Sequence, residues 1–363
     1  MLPRRFLDRL DLPTLAIALA LAGIGIVAIA SATSGQPARV GLWRVQLLWL
    51  AVGLAVGLVI VAIDYHVWAE FALVFHGVVV LLLEAVLFVG KEVAGNRSWL
   101  VVGPWSFQPS EFAKVTTCLA LAAYLSARVR ERLTLRHVLA TGAIVGVPVA
   151  LVARQPDMGT AITFVPIFLA ALFLGGLSWR VILVILMLGA LLAPIGWMHL
   201  THYQQERILS ALDPDRDPAG IGYQARQSKI AIGSGKLVGK GLFRGTQSHL
   251  NFLPAQHTDF VLSVVSEELG FLGAAGVLLL FFSLLHRGVV AARSSQDRLG
   301  SYLALLVTAW FAGQFAVNVG MVLGLLPTIG VPLPLMSYGG TALVACMSAV
   351  ALVVNVRSRR FVN

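Results

Sequence analysis

Runs of apolar residues long enough to cross a bilayer fill most of this chain, from 14–33 near its start to 337–356 near its end. A spanning helix needs about 20 mostly apolar residues. In lipid the backbone must satisfy its own hydrogen bonds, which only helices and closed barrels achieve. These runs lack the ~10-residue alternation of an outer-membrane barrel, so the spans are helices. We place them at 14–33, 42–62, 67–89, 110–127, 137–152, 159–176, 181–199, 259–285, 300–323 and 337–356. With 58% hydrophobic and 12% charged residues, no large aqueous domain fits beside them. The reading is an all-α polytopic membrane protein of about ten transmembrane helices, one domain over 1–363. Cys118 and Cys346 lie inside apolar runs and form neither a disulfide framework nor a metal motif. Ala30-Ser31-Ala32 resembles a signal-cleavage site, but the run before it is too long for a signal peptide, so the first helix stays uncleaved.

The net charge of +10 suggests nucleic acid until its distribution is read against the membrane. With the N-terminus inside, the inner segments hold Arg4, Arg5, Arg9, Arg128, Arg130, Arg132, Arg136, Arg180, Arg287, Arg293, Arg298, Arg357, Arg359 and Arg360. The short outer connections hold only Arg39, Arg44, Lys91, Arg97 and Arg154. That is the positive-inside pattern, which puts both termini in the cytoplasm and accounts for the charge without nucleic acid.

This topology makes 200–258 one long extracytoplasmic connection between spans seven and eight, and a loop of that length is usually functional. It opens with the acidic, turn-forming stretch Asp213-Pro214-Asp215-Arg216-Asp217-Pro218. From Gly222 to Ser248 it carries Arg226, Lys229, Lys236, Lys240 and Arg244 without an acid, interleaved with Gly233, Gly235, Gly239, Gly241 and Gly245. Such a strip suits a pyrophosphate headgroup, because glycine lets backbone N–H groups approach an oxyanion. A solvated basic loop over anionic lipid explains the composition equally well.

The remaining polar chemistry gathers at the outer ends of even-numbered spans. Span four is entered through Gln108-Pro109-Ser110-Glu111 with Lys114 a turn further in, and span six through Gln155-Pro156-Asp157. Span eight is entered through His257-Thr258-Asp259, and span ten through Pro332-Leu333-Pro334 to Ser337-Tyr338-Gly339-Gly340. In a bundle these ends can converge on one outer cavity, and an ionisable group at membrane depth is a functional hypothesis by default. Each also has a structural alternative. Asp157 and Asp259 stand where helix N-caps stand, Glu111 lies in a first turn, and Glu111 and Lys114 are spaced to pair with each other. Glu267 and Glu268 lie deeper, and at most one shares a cavity with Asp259. Glu84 reads as a packing or interfacial residue.

Taken in order, these segments resemble the SEDS family (shape, elongation, division and sporulation) of polytopic peptidoglycan glycosyltransferases, nearest its elongation branch. The likeness runs from first span to last. It rests on Arg97 to Lys114; Gln155-Pro156-Asp157-Met158-Gly159-Thr160; Gly222-Tyr223-Gln224 through Gly235; Gly239-Lys240-Gly241; Phe252-Leu253-Pro254 with His257-Thr258-Asp259-Phe260; Glu267-Glu268-Leu269-Gly270; and Pro332 to Gly340. Thr246-Gln247-Ser248 favours the elongation branch over the division branch. One departure stands out, since Ala255 follows Pro254 where the family usually carries a glutamate.

The resemblance implies polymerisation of lipid II onto a nascent glycan strand at the outer face of the bacterial cytoplasmic membrane, with release of undecaprenyl pyrophosphate. An inverting transfer needs a base for the attacking 4-hydroxyl and cations for the departing pyrophosphate. Asp259 is the expected catalytic base. Arg97, Glu111, Lys114, Asp157, Arg226, Lys229, Lys240, His257, Thr258, Ser337 and Tyr338 are the expected substrate-binding set. Asp259 has an alternative role as ligand to a divalent cation, Mg or Mn, completed by water and substrate oxygens. No organic cofactor is expected. Expected partners are a class B penicillin-binding transpeptidase and the membrane proteins of the elongation complex. A lipid-linked oligosaccharide flippase is the competing class, but it calls for midplane polar groups and gates on both faces, whereas the acids here gather outside. A scaffold that only binds a partner would tolerate loss of Asp259.

Overall fold

The computed structural model describes residues 10–36, 39–93, 96–103, 105–128, 135–198, 202–212, 221–250 and 252–359. The stretch 213–218 and Arg4, Arg5, Arg9, Arg130, Arg132 and Arg360 lie outside them. The chain is built of helices α1 (Leu12–Thr33), α2 (Leu42–Ala62), α3 (Tyr65–Glu70), α4 (Ala72–Val89), α5 (Pro109–Ser126), α6 (Leu135–Arg154), α7 (Met158–Ile162) and α8 (Phe164–Leu174). Then follow α9 (Trp179–Met198), α10 (His202–Leu212), α11 (Ile221–Ser234), α12 (Thr246–His249), α13 (Val261–Ser294), α14 (Arg298–Val322) and α15 (Gly340–Ser358). Seven of them, α1, α2, α4, α6, α13, α14 and α15, are long and apolar enough to cross a membrane. The expected span at 110–127 corresponds to α5, which is polar at Glu111, Lys114, Thr116 and Thr117 and buried on most of its surface. It lies inside the bundle, where protein rather than lipid meets those groups.

α15 is the central post, buried almost throughout. Its pairing with α2 is close because Gly53 and Gly57 present no side chain: a Cβ on Gly53 would sit 3.1 Å from Met347 Cγ, and one on Gly57 3.5 Å from Ala351 Cβ. Ala55, on the same helix, faces outward. Polar clasps close the pair at both ends. Gln46 donates to the Ser337 carbonyl at 3.0 Å, and Asn355 donates to the Ile60 and Ile63 carbonyls, each at 2.6 Å.

The end carrying the arginine-rich connections is tied by charge. Buried Asp11 pairs with Arg287 and with Arg357, and His66 bridges Asp64 at 2.8 Å and Asp297 at 2.6 Å. At the opposite end, Lys91–Phe107 forms a three-stranded antiparallel sheet in the order β1 (Lys91–Val93), β2 (Asn96–Val102), β3 (Trp105–Phe107). The sequence alone places these residues in a connection, because β1 and β3, at three residues each, are too short for alternation to register.

The long connection 200–258 is also more ordered than its composition suggests, since it carries α10, α11 and α12. Gly222, Ala225, Ser228, Ala231 and Gly235 recur at helical spacing and are buried as one small-residue face, with Ser228 Oγ 2.8 Å from Ser263 Oγ on α13. Gly222 and Gly235 therefore serve close packing, and at Gly239 and Gly241 the expectation that glycine N–H groups reach for an oxyanion is corrected. Gly239 N–H donates to Gly235, Lys240 N–H to Glu267, and Gly241 N–H to Glu268.

That staple sits at a break in α13. Gly270 takes φ 67 and ψ −163, dividing the helix into a sealed half-helix, Val261–Leu269, and a full span, Phe271–Ser294. Phe271 and Leu272 donate their freed N–H groups to Lys236 and Leu237. The span runs antiparallel to α1, with Ser31 donating to Glu268 at one end and Arg287 meeting Thr14 and Asp11 at the other. A Cβ on Gly270 would lie 2.3 Å from Gly239 N. Gly270→Ala is therefore expected to lower stability by about 2 kcal/mol or more through left-handed strain and backbone clash. The thermal midpoint in detergent checks this. Gly276→Ala, which meets nothing within 4 Å, should leave it unchanged or slightly raised.

Candidate active site

The entrances of α5, α7, α13 and α15 come together at one end of the bundle, around the connection Leu323–Gly339. Asp157 caps α7, accepting from Thr160 N at 3.0 Å and Thr160 Oγ1 at 2.8 Å, and it also receives Gln108 Nε2 at 3.1 Å. Gly159 lies flat against the Ile329–Gly330 backbone, where a Cβ would come within 2.4 Å of the Ile329 carbonyl. A Cβ on Gly330 would in turn sit 3.4 Å from Asp259 Oδ2. Gly330, at φ +75, is bare backbone packed between Gly159 and the Asp259 carboxylate.

Asp259 does not cap its helix. Phe260 holds the N-cap position of α13 and makes no side-chain cap, while Asp259 sits one residue earlier, in the turn that follows the left-handed Ala255. Its main-chain N–H donates to the Ala255 carbonyl at 3.1 Å. Burial raises the Asp259 carboxyl to about 6, with the Arg207 charge and a Thr258 hydrogen bond opposing the rise and Asp157 adding to it. Burial likewise raises the Asp157 carboxyl, against the hydrogen bonds from Thr160.

The turn is fixed from α14 and from the connection to α15. Asn318 Nδ2 donates to the Asp259 carbonyl at 2.8 Å and to the Val331 carbonyl at 2.7 Å. Ser337 Oγ donates to the Thr258 carbonyl at 2.5 Å and accepts from Leu333 N at 2.8 Å. Tyr338 N donates to the His257 carbonyl at 2.9 Å, and the two rings stand 5.7 Å apart. Burial lowers His257 to about 4, with Arg39 adding to the shift, so its ring is neutral at pH 7.

Glu111 and Lys114 form a buried pair at 2.8 Å, at 2% and 1% exposure. Lys114 Nζ also reaches Gln314 Oε1 at 3.4 Å and lies 5.1 Å from the centre of the Trp310 ring. Gln314 Oε1 accepts from Trp310 Nε1 at 2.7 Å, and Gln314 Nε2 donates to the Pro332 carbonyl at 2.8 Å. The pair is thus wired to the same connection that carries Gly330, and it is enclosed by protein.

The other expected residues divide. Arg226 and Lys229 are exposed on α11, with the Lys229 stem lying over Gly324. Lys240 is drawn away to Glu267 at 2.6 Å, where Thr246 Oγ1 and Gln247 N also point. Arg97 is exposed on β2 and turns to the Leu87 carbonyl at 3.5 Å, so the structure does not bring it to Lys114. Arg207, Gln314 and Asn318 belong to the cluster and were not picked out from the sequence. None belongs to a recognisable motif, and the groups each meets at the site are brought from elsewhere in the chain.

A metal would find few ligands. Among the described residues no group of three or more His, Cys, Asp or Glu is placed to hold one. A divalent cation at Asp259 would depend on water and substrate oxygens for most of its shell. The arrangement is instead suited to proton transfer: a partly buried carboxylate of raised pKa, held by its main chain, with a guanidinium close enough to be felt.

The family model of the FtsW/RodA/SpoVE cell cycle proteins matches residues 12–361. The peptidoglycan glycosyltransferase MrdB of Escherichia coli K12 is 41% identical over 98% of this chain and 96% of its own. The probable peptidoglycan glycosyltransferase FtsW of Trichlorobacter lovleyi is 36% identical over 95% of this chain and 92% of its own. Among solved structures, a chain of a peptidoglycan synthase complex that coordinates polymerization and crosslinking superposes with TM-score 0.84 at 33% identity, covering 98% of this chain and 99% of that one. The rod shape determining protein RodA of Thermus thermophilus superposes with TM-score 0.72 at 30% identity, covering 98% of each chain.

Proposed function

The chain belongs to the SEDS family, that of the FtsW, RodA and SpoVE cell cycle proteins, and on that premise we propose that it polymerises lipid II into glycan strands during cell elongation. The observation that carries the chemistry is Asp259, a carboxylate excluded from helix capping and raised to about 6. In the proposed step it takes the proton from the 4-hydroxyl of the acceptor N-acetylglucosamine. The oxygen bonds to the anomeric carbon of the donor with inversion, and the carbon–oxygen bond to pyrophosphate breaks, its electron pair leaving on undecaprenyl pyrophosphate. A single displacement needs no second, nucleophilic carboxylate.

Arg207, Arg226 and Lys229 are the cations we assign to the departing pyrophosphate. Glu111 and Lys114 brace the Pro332 segment through Gln314, and Asp157, by capping α7, sets Gly159 against Gly330. His257, Thr258, Ser337 and Tyr338 hold the Asp259 turn. A divalent cation on Asp259 is a second proposed role for the same side chain. The arginine distribution supports a cytoplasmic-membrane location with the site facing outward. The likeness to a chain of a polymerising and crosslinking complex supports a class B penicillin-binding transpeptidase as partner. The greater identity to MrdB than to FtsW relatives supports elongation over division.

The test is reconstitution of the purified protein in vesicles with lipid II, with and without the transpeptidase and with and without magnesium. Glycan polymer and released undecaprenyl pyrophosphate are expected. Movement of lipid II across the vesicle without polymer would support the flippase reading instead. In the same assay Asn318→Ala, which strips a donor from the Asp259 and Val331 carbonyls, is expected to reduce kcat at least tenfold with little change in KM. The loss of about 1–3 kcal/mol for each buried carbonyl left without its partner sets that scale.

A further inference from the structure

We propose that the outward face of α4 docks a membrane helix of a partner protein that presents a basic side chain to Glu84. α4 is among the helices apolar and long enough to cross a membrane. One side of it is complete. Val79, Leu83 and Val86 are buried, His76 Nδ1 lies 3.5 Å from Thr116 Oγ1 on α5, and Gln155 Nε2 donates to the Leu83 carbonyl at 2.9 Å. The opposite side is bare, with Val74, Val78, Leu81 and Phe88 recurring at helical spacing and Leu81 and Phe88 exposed by 65% and 77%. Glu84 is exposed on this side, between Leu81 and Phe88. Among the described residues no hydrogen bond or ion pair holds its carboxylate. Among the described residues no other acid within a candidate span faces outward; Glu267 and Glu268 are buried and bonded.

A carboxylate flanked along the helix by lipid-exposed leucine and phenylalanine is unfavourable in hydrocarbon, and such groups pair within the membrane. The apolar neighbours offer no donor, so a second copy of the chain would set carboxylate against carboxylate. Arg97 is turned to the Leu87 carbonyl, nearer the helix end. Charge complementarity therefore selects a helix from another protein bearing Lys, Arg or His at the depth of Glu84. The inference requires only that α4 crosses the membrane, and it is independent of the catalytic assignment.

The experiment places a photo-crosslinking residue at Val78 or Leu81 of the full-length chain in cells, in wild-type, Glu84→Gln, Glu84→Lys and Arg97→Ala backgrounds, and sequences the adducts. The expected adduct is a membrane helix with a basic residue within one turn of the linked position. Its yield should fall at least fivefold with Glu84→Lys and return when that basic residue is replaced by glutamate. Glu84→Gln should keep its thermal midpoint and its polymerisation rate after purification. Adducts to lipid alone, to a second copy, or to a helix without a basic residue would overturn the proposal. So would a yield indifferent to Glu84→Lys, or an equal loss with Arg97→Ala, which would mark an internal pair.

Discussion

Asp259→Asn and Asp259→Ala are expected to lower lipid II polymerisation about a hundred- to ten-thousand-fold, the range a general base contributes, while the protein purifies with its thermal midpoint nearly unchanged. Stability should hold because the side chain caps nothing; the turn is held through its main chain by Ala255 and Asn318. The base acts when deprotonated, so with a carboxyl near 6 the rate should climb with pH through that region and level off above it. Below the midpoint it should fall about tenfold per pH unit. Arg207 opposes the upward shift, so Arg207→Gln should move this limb to higher pH. Restored activity of Asp259→Asn at raised magnesium or manganese would assign the side chain to a cation rather than to the proton. Full activity without rescue would remove it from the chemistry.

Lys114→Met is expected to destabilise the fold by about 3–5 kcal/mol, because it leaves Glu111 buried without its counterion. Glu111 Oε2 already lacks a partner among the described groups, so removing Lys114 leaves the carboxylate with nothing at Oε1 either. The double variant Glu111→Met with Lys114→Met should recover most of that loss, since two apolar side chains of similar volume leave no buried charge or polar group without a partner. Thermal midpoints of the two single variants and the double close the cycle. Polymerisation by the refolded double variant then separates roles. Activity within a few-fold of wild type means the pair only braces Gln314 and Pro332, whereas a large loss in a stable protein means its charge reaches the substrate.

How far the sequence could be read depends on the distance between the groups concerned. Long apolar runs and arginine-rich connections follow from local composition, and the Glu111–Lys114 pair follows from helical spacing; these are legible in one chain. The four polar entrances could be named because each carries several motif residues. Arg207 and Asn318 could not, since their importance comes from Asp259, 52 and 59 residues away along the chain. α11 is hidden in the sequence because interleaved glycines suggest a loop, although Gly222, Ala225, Ser228 and Ala231 keep helical spacing. The break at Gly270 left no local mark either. What requires glycine there is the backbone of Gly239, delivered by a distant segment.

That break also dictates an order of events during biogenesis. Val261–Leu269 is too short to cross a bilayer and carries Glu267 and Glu268, so it has no stable residence in lipid while the nascent chain is being inserted. Its acids meet Ser31, Lys240, Thr246 and Gln247, groups supplied by the first helix and by the segment just ahead of it in the chain. The half-helix that follows Asp259, the proposed base, therefore docks late, onto a scaffold of inserted spans. A newly made chain can be fully threaded through the membrane and still be chemically silent until that docking is complete.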